Sequence, residues 1–417
     1  MGYEFLLWLA IILFSTKVVG LIIRKIGLPE VVGFLIAGIV LGPSVLKIIT
    51  ISPGDPTGMF LENTAELGVI LLMFAAGLET DMQQMKANLK ASVVTAVCGV
   101  VVPLVVGTIV YGVYFGKNFG DYDSLLESIF VGVVLTATSV SITVQTLREM
   151  GHLNGAVGTT ILGAAVIDDI LGIIVLAVVS GLKDTSVSIG SVLLKLLGFA
   201  VVIVVIFIVV RKLEPILALD KGKRRTGLFA LAFCMILAFV SERFFGVADI
   251  TGAYFAGFIL SGSTVKGYVG EKVENVSTMF FSSVFFASIG IKVTLGGMSA
   301  SVWIFAIILT VVAILTKVIG CGGGAAMCGF RGKSVLQIGV GMVSRGEVAL
   351  IVAEKGRQLG LVDEAMFAPV VLVVIVTTLL TPILLKFVFT KELKALKEMK
   401  KRLKAENQRI KEKVGKA

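Results

Sequence analysis

Two adjacent carboxylates stand at the centre of a long apolar run. Asp168 and Asp169 are preceded by Gly-Ala-Ala-Val-Ile and followed by Ile-Leu-Gly. Such carboxylates require a cation, a proton or hydrogen-bond donors. Neighbours on a helix point about 100° apart, so one partner cannot satisfy both, and their repulsion favours a proton on one of them. The pair predicts a site that binds protons and a small hard cation in turn; a fully hydrogen-bonded structural pair is the alternative.

One lysine occupies an equally deep place in another apolar run. Lys317 stands in the sequence Ile-Leu-Thr-Lys-Val. An unpaired ammonium at that depth would be driven neutral, so we expect an acidic partner. Asp168 and Asp169 are both candidates. The alternative is a side chain that reaches out to water at one interface.

Polar residues interrupt two further apolar runs. Thr138 and Ser139 belong to Thr-Ala-Thr-Ser-Val-Ser, and Arg345 and Glu347 belong to Ser-Arg-Gly-Glu. Hydroxyls and unwound backbone carbonyls are oxygen ligands for a cation such as sodium or lithium, so Thr138 and Ser139 are predicted to complete the cation site. Arg345 needs carboxylates or exposed helix carbonyls. Glu347 could be the carboxylate partner of Arg345, or it could contact Lys317. Arg345 and Glu347 are predicted to support the site, with direct ion contact as the alternative.

The composition places these residues in a membrane. The chain has 417 residues, of which 56% are hydrophobic and 16% charged, and its mean hydropathy is +0.99. Soluble chains average roughly 25% charged residues. A soluble enzyme, a secreted disulfide scaffold and a disordered chain are therefore excluded. The apolar blocks are continuous rather than alternating, which argues against a β-barrel and predicts an all-α, multi-span membrane protein.

The apolar blocks predict thirteen membrane spans, because each is long enough to cross a hydrocarbon core of about 30 Å. Lys and Arg are more frequent in the loops on the side of the C-terminus, which predicts an outside N-terminus and a cytoplasmic C-terminus. The predicted spans are 4–23, 30–48, 63–80, 91–115, 127–148, 156–181, 187–210, 226–246, 249–263, 275–291, 302–326, 334–354 and 366–388.

The two polar interruptions fall in the fifth and the twelfth of these spans. Elements seven spans apart have opposite orientations in the membrane, so the two spans are candidates for equivalent parts of an inverted repeat. Helices that are interrupted at matching places in two halves indicate a transport site. We therefore predict that both spans are broken helices.

The net charge of +10 is concentrated in two segments. The tail 391–417 and the loop 211–225 are rich in Lys and Arg, which predicts attraction to anionic lipid on the cytoplasmic side. So little positive charge remains elsewhere that nucleic-acid binding is not expected. The chain has no phosphate loop, so ATP-driven pumping has no support, and neither a cofactor nor an enzyme activity is predicted.

Several motifs together resemble the monovalent cation:proton antiporter superfamily, and most closely its electrogenic, NapA-type sodium/proton antiporters. The similarity runs from the first span to about residue 388. The matching segments are Val-Ile-Asp-Asp at 166–169, Thr-Ala-Thr-Ser-Val at 136–140, Lys317, Gly-Met-Val-Ser-Arg-Gly-Glu at 341–347, and the segments 67–79 and 285–290.

The resemblance implies a homodimer with the thirteen-helix, NhaA-like antiporter fold, in which two broken helices of inverted repeats cross each other. A dimerisation domain would hold spans 1–3 and 8–10, a mobile core would hold spans 4–6 and 11–13, and the seventh span would link them. In residue numbers these parts are 1–82 and 226–298 (dimerisation), 83–182 and 299–390 (core), 183–225 (linker and basic loop) and 391–417 (tail).

The resemblance also assigns roles at the site. Asp169 would be the essential ion- and proton-binding carboxylate, and Asp168 would pair with Lys317. Protons and the metal ion would compete for the two carboxylates, which implies alternating-access export of Na⁺ or Li⁺ in exchange for H⁺ across the inner cell membrane. Paired aspartates resemble the electrogenic branch of the superfamily. Each charge that crosses 100 mV is worth about 2.3 kcal/mol, so exchange of two protons for one sodium could use the membrane potential.

Three alternatives differ from this prediction. A potassium/proton antiporter would use the same scaffold. A gated cation channel is more distant, because the sequence contains no recognisable carbonyl filter. An intramembrane aspartyl protease needs two carboxylates on separate helices, whereas Asp168 and Asp169 are neighbours on one.

Overall fold

The computed structural model describes residues 3–51, 55–183, 189–218, 223–263, 266–292, 300–362 and 369–390. The basic tail lies outside this part of the chain, as do residues 219–222 of the basic loop. The helices of the described part are α1 (Glu4–Lys25), α2 (Glu30–Leu41), α3 (Pro56–Glu79), α4 (Met82–Tyr114), α5 (Tyr122–Val134), α6 (Val140–Met150), α7 (Ala156–Lys183), α8 (Ile189–Ala218), α9 (Lys223–Phe245), α10 (Asp249–Leu260), α11 (Lys266–Val276), α12 (Ser282–Ile291), α13 (Ala300–Met327), α14 (Lys333–Gly341), α15 (Glu347–Gln358) and α16 (Pro369–Thr390). The π-helical turn Ser277–Phe281 joins α11 to α12.

Eight of the described helices are long and apolar enough to cross a membrane, namely α1, α3, α4, α7, α8, α9, α13 and α16. The chain is therefore a multi-span helical membrane protein, as its composition predicts. A helix satisfies its own backbone hydrogen bonds, which is why apolar runs adopt it in lipid. The other predicted spans coincide with α2, with α5–α6, with α10, with the π-helical turn and α12, and with α14–α15. The helix α11 lies almost entirely before the span predicted at 275–291.

The second predicted span is too long at its end. The sequence predicts residues 30–48, but α2 ends at Leu41. Gly42 is extended, with φ −73° and ψ −177°, and it precedes Pro43. A residue before proline is disfavoured in the helical region, so the apolar character of 44–48 does not continue the helix.

Both predicted helix breaks are confirmed. One predicted span is divided between α5, which ends at Val134, and α6, which begins at Val140. The other is divided between α14, which ends at Gly341, and α15, which begins at Glu347. Each break frees backbone groups at a depth where water is scarce, so those groups need partners within the protein.

The helices pack in two groups. In the first, α3 packs on α10 and α12, and α2 packs on α1 and α12. In the second, α4 packs on α13, α7 and α5, and α14 packs on α13. The helix α6 contacts both groups, because it touches α7 of the second group and α2 and α3 of the first.

Within the first group, glycines let helix backbones approach closely at two related places. A Cβ atom on Gly38 of α2 would lie 2.1 Å from the carbonyl oxygen of Ala287, and one on Gly257 of α10 would lie 2.1 Å from that of Phe74. The sequences of α2 and α10 are also alike. They are Glu-Val-Val-Gly-Phe-Leu-Ile-Ala-Gly-Ile-Val-Leu and Asp-Ile-Thr-Gly-Ala-Tyr-Phe-Ala-Gly-Phe-Ile-Leu.

Candidate ion-binding site

A buried ion pair joins α7 to α13 at the centre of the second group. Lys317 Nζ donates to Asp168 Oδ1 at 3.0 Å and to Oδ2 at 3.3 Å. The exposed fractions of the two side chains are 0% for Lys317 and 2% for Asp168. Of the two acidic candidates, the structure therefore pairs Asp168 with the lysine. A buried charge without its partner is strongly unfavourable, so loss of either residue would leave the other uncompensated in the protein interior.

Small residues make room for this ion pair. A Cβ atom on Gly99 of α4 would lie 2.4 Å from Sγ of Cys321, 3.7 Å from Nζ of Lys317 and 3.9 Å from Oδ1 of Asp168. Any larger residue at this position would press on the cysteine beside the pair. Gly99 was not among the predicted site residues, because a glycine in an apolar run shows no chemical signal in the sequence.

Asp169 has a different environment from its neighbour. It is half-buried, whereas Asp168 is buried. Half-buried residues then continue along α7 as far as Leu176, and a Cβ atom on Gly172, one turn beyond Asp169, would meet no atom within 4 Å. Open space therefore lies along α7 next to Asp169. Of these two adjacent carboxylates, Asp168 is thus enclosed in an ion pair and Asp169 is in a more accessible position.

The two helix breaks meet and hold each other through backbone groups. The N–H of Ser139 donates to the carbonyl oxygen of Ser344 at 2.7 Å. Thr143 Oγ1 of α6 donates to the carbonyl oxygen of Gly341 at 2.7 Å. These bonds satisfy groups that the breaks release, and they make one crossing of the two interrupted helices.

Arg345 lies within this crossing and is fully buried. Its guanidinium donates to the carbonyl oxygen of Ala137 in the first break and, at 3.3 Å, to that of Ala313 in α13. Its own carbonyl accepts from Thr378 Oγ1 at 2.6 Å. Arg345 thus binds exposed carbonyls, one of the two kinds of partner predicted for it. It also lies close enough to Asp168 for an electrostatic interaction, which brings the crossing next to the ion pair.

The remaining predicted residues lie in or beside the breaks. Thr138 and Ser139 are buried in the first break. Thr138 Oγ1 lies 3.5 Å from the carbonyl oxygen of Thr136, and Ser139 Oγ lies 3.2 Å from Ser141 Oγ. Glu347 begins α15, and its side chain lies outside the described part of the structure. The predicted contacts of Glu347 therefore stay predictions.

Two hydroxyl residues of the crossing were missed by the sequence analysis. Thr143 and Thr378 both cap carbonyls that the breaks release. A threonine inside a helix usually bonds to its own preceding turn, so its presence alone gives no signal. Only the fold shows that each of these threonines lies opposite a carbonyl in the break of another helix.

Comparison with known proteins agrees with this architecture. The model of the family described as "Sodium/hydrogen exchanger, transmembrane" matches residues 10–391. The chain is 42% identical over 406 residues to the Na(+)/H(+)-K(+) antiporter GerN of Bacillus cereus, covering 96% of this chain and 100% of that protein. It is 36% identical over 397 residues to a Na(+)/H(+) antiporter of Enterococcus hirae, covering 94% of this chain and 100% of that protein.

A solved structure shares the fold. The sodium proton antiporter MjNhaP1 from Methanocaldococcus jannaschii, determined at pH 8, aligns with a TM-score of 0.62 at 16% sequence identity. The alignment covers 94% of this chain and 97% of that one. The family model and the two relatives each extend over nearly the whole chain, and they confirm the resemblance drawn from the motifs. The chain belongs to the sodium/hydrogen exchanger family of membrane transport proteins.

Proposed function

We propose that the chain exports sodium or lithium in electrogenic exchange for protons, with Asp169 as the carboxylate that both species occupy in turn. The observation that carries this proposal is the different burial of two adjacent acids. Asp168 is sealed against Lys317, while Asp169 is half-buried beside open space along α7. A transport site needs one carboxylate that ions can reach, and a neighbouring ion pair can change its charge when the cation binds.

The oxygens of the residues proposed for the site suit a small alkali cation. Carboxylate oxygens from Asp169 and Asp168 would bind the metal ion, and Thr138 and Ser139 in the first break would complete its coordination. Arg345 supports this arrangement because it donates a hydrogen bond to the carbonyl oxygen of Ala137 and so links the two breaks. A proton on Asp169 removes the charge that holds the cation, so the two species compete.

The charge balance gives a stoichiometry of two protons for one cation. With a proton on Asp169, Asp168 and Lys317 form a neutral pair and the site has no net charge. When a cation binds to both carboxylates, it draws Asp168 away from Lys317, and a buried ammonium without a partner gives up its proton. One proton thus leaves Asp169 and one leaves Lys317. The cation-loaded site has one negative charge, so each full cycle moves one net charge.

The helix packing supports a division into a dimerisation domain (1–82 and 226–298) and a core that moves (83–182 and 299–390). The first group of helices, built around α2 and α3, belongs to the dimerisation domain. The second group, built around α4 and α13, belongs to the core, and α8 links the two domains. The related sequences of α2 and α10, and their matching glycine contacts, support an inverted repeat. In this arrangement α2, α5–α6, α10, α12 with the π-helical turn before it, and α14–α15 also cross the membrane, which gives thirteen spans.

Further parts of the proposal concern the surroundings of the chain. Large apolar side chains such as Phe14 of α1 and Phe239 of α9 are exposed, which fits helices that face lipid or the second copy of a homodimer.

Arg24 and Arg148 lie at one common end of the bundle, which favours that end as the cytoplasmic one. The protein would then lie in the inner cell membrane with its N-terminus outside. The basic tail and the loop 211–225 would contact anionic lipid.

Potassium/proton antiport is the second candidate. The relative from Bacillus cereus is named a Na(+)/H(+)-K(+) antiporter, so potassium is a substrate to test for this chain. The same carboxylates would serve either ion.

Exchange in proteoliposomes separates these possibilities. Purified protein is reconstituted with a pH indicator inside the vesicles, and sodium, lithium or potassium is added outside at equal concentration. We expect sodium and lithium to drive protons out of the vesicles, and potassium to do so much more slowly. Equal rates with potassium would favour the second candidate, and absence of cation-driven proton movement would contradict antiport.

A further inference from the structure

Three helix ends meet at one face of the protein, away from the ion pair. They are the last turn of α6, the C-terminus of α3 and the N-terminus of α2. The helices α2 and α3 belong to the first group, whereas α6 is tied to the second group through Ser139 and Thr143 at its other end. Contacts at this face therefore join the two groups.

Arg148 makes the first of these contacts. Its Nε and Nη2 donate to Oε1 of Glu79, the last residue of α3, at 2.9 and 2.6 Å. The exposed fraction of the arginine side chain is 9%, and that of the glutamate is 28%. A hydrogen-bonded ion pair that is largely shielded from water is stronger than one on an open surface.

Glu149, the next residue, makes the second contact. Its Oε2 accepts from the backbone N–H of Glu30, the first residue of α2, at 2.7 Å. Its Oε1 accepts from Gln145 Nε2 one turn back on α6, at 3.0 Å, which fixes the orientation of the carboxylate. A carboxylate at the N-terminus of a helix is favoured by the free N–H groups and the dipole there. Two consecutive residues thus bind two different helices of the other group.

The burial of α7 shows which side of the site these contacts close. The helix begins at Ala156, just after the end of α6, and every residue from Gly158 to Val166 is buried. Asp169 lies about 20 Å along the helix from its start. From Asp169 to Leu176 the residues are half-buried, and open space lies next to Gly172. The contacts of Arg148 and Glu149 therefore lie at the closed end of the route to Asp169.

We propose that Arg148 and Glu149 form a latch, which holds the end of α6 against α2 and α3 and closes the site towards that face until the two groups move apart in each transport cycle. This inference rests on the alternating access of the proposed function. It assigns to two residues a role in which neither touches the transported ions. By the predicted orientation, the latched face is the cytoplasmic one.

Cysteine labelling tests the latch without any transport assay. In the full-length protein, Thr160→Cys places a thiol in the buried half of α7, and Gly172→Cys, in a separate variant, places one beside the open space. Each purified protein is treated in mild detergent with a hydrophilic maleimide, and the labelled peptide is quantified by mass spectrometry, so the four native cysteines are read separately.

Arg148→Ala and Glu149→Ala should each raise the labelling rate at position 160 by about ten-fold. That factor corresponds to the free energy of one hydrogen bond to a charged group. The same changes should lower the labelling rate at position 172, because a protein that opens at one face closes at the other. Glu149→Gln retains an oxygen that can accept from Glu30 N–H, and it should restore both rates to nearly their original values.

Arg24→Ala is the matched control. Arg24 Nη1 lies 3.1 Å from Glu30 Oε1 at the same face, but that pair joins α1 and α2 within one group, so its removal should leave both rates unchanged. Unchanged labelling in Arg148→Ala and Glu149→Ala would overturn the latch. A rise at 160 that Glu149→Gln produces as strongly as Glu149→Ala would also overturn it, because the opening would then not depend on the hydrogen bond from Glu30 N–H. Neither result would affect the proposed ion exchange, which the proteoliposome assay tests separately.

Discussion

The ammonium of Lys317 lies 3.0 Å from Oδ1 of Asp168, and at most 2% of either side chain is exposed. Asp169, the next residue, is half-buried. The rotation of α7 that buries one carboxylate against α13 therefore leaves the other in a more accessible position. In the proposed function, Asp169 is the carboxylate that protons and cations reach first, and the ion pair opens when a cation binds to both carboxylates.

Removal of the lysine should destabilise the folded protein. We expect Lys317→Ala to lower the free energy of unfolding by about 3–5 kcal/mol, because it leaves Asp168 buried without a partner. Asp168→Asn should recover part of that loss in the double variant. Denaturant titration of the four proteins in detergent measures the coupling, and strictly additive losses would show that the two side chains do not stabilise each other.

The tight space beside the ion pair gives a second prediction. Gly99→Ala should destabilise the protein by about 1–3 kcal/mol, because the new methyl group would overlap Sγ of Cys321. The added change Cys321→Ala should restore most of the loss. Gly323→Ala in α13, where a Cβ atom meets no neighbour within 4 Å, is the control and should be neutral or slightly stabilising. Equal effects at Gly99 and Gly323 would refute the steric explanation.

The crossing of the broken helices depends on threonine hydroxyls. Thr143→Val and Thr378→Val keep the shape of the side chain but leave the carbonyls of Gly341 and Arg345 without their hydroxyl donors. Each change should cost about 1–3 kcal/mol of unfolding free energy. Serine at either position keeps the donor and should cost much less. Comparable losses for valine and serine would indicate that packing, and not the hydrogen bond, matters there.

The two-for-one stoichiometry predicts a response to voltage alone. In strongly buffered proteoliposomes with equal pH on both sides, an inside-negative potential of 100 mV should drive sodium out to a gradient of about 50-fold, since one net charge is worth about 2.3 kcal/mol across that potential. The measurement is the sodium content of the vesicles at equilibrium. A potential that produces no sodium gradient would indicate electroneutral exchange.

The chemistry of the site could be predicted from the sequence because charges are conspicuous in apolar runs. Asp168, Asp169, Lys317 and the two helix breaks all follow from residue type and position. The choice of Asp168 over Asp169 as the partner of Lys317 depends on how α7 is rotated against α13, and that rotation is set by packing. The resemblance to a known family supplied this choice, while the residue chemistry left it open.

The contacts of Arg148 could not be predicted from the sequence, for a different reason. A charge near the end of an apolar run is usually a side chain that reaches the membrane surface, and Glu79 and Arg148 both fit that interpretation. The break between α5 and α6 turns the end of α6 towards α2 and α3. Only the fold shows that these two interfacial charges meet each other.

Sodium-induced proton release tests the central claim most directly, namely that a metal ion and protons take turns on Asp169. Purified protein in weakly buffered detergent is titrated with sodium while the released protons and the bound sodium are counted. The proposed charge balance predicts about two protons released for each sodium ion bound, and no sodium-dependent release from a folded Asp169→Asn variant. Sodium binding without proton release, or an unchanged release in Asp169→Asn, would contradict it.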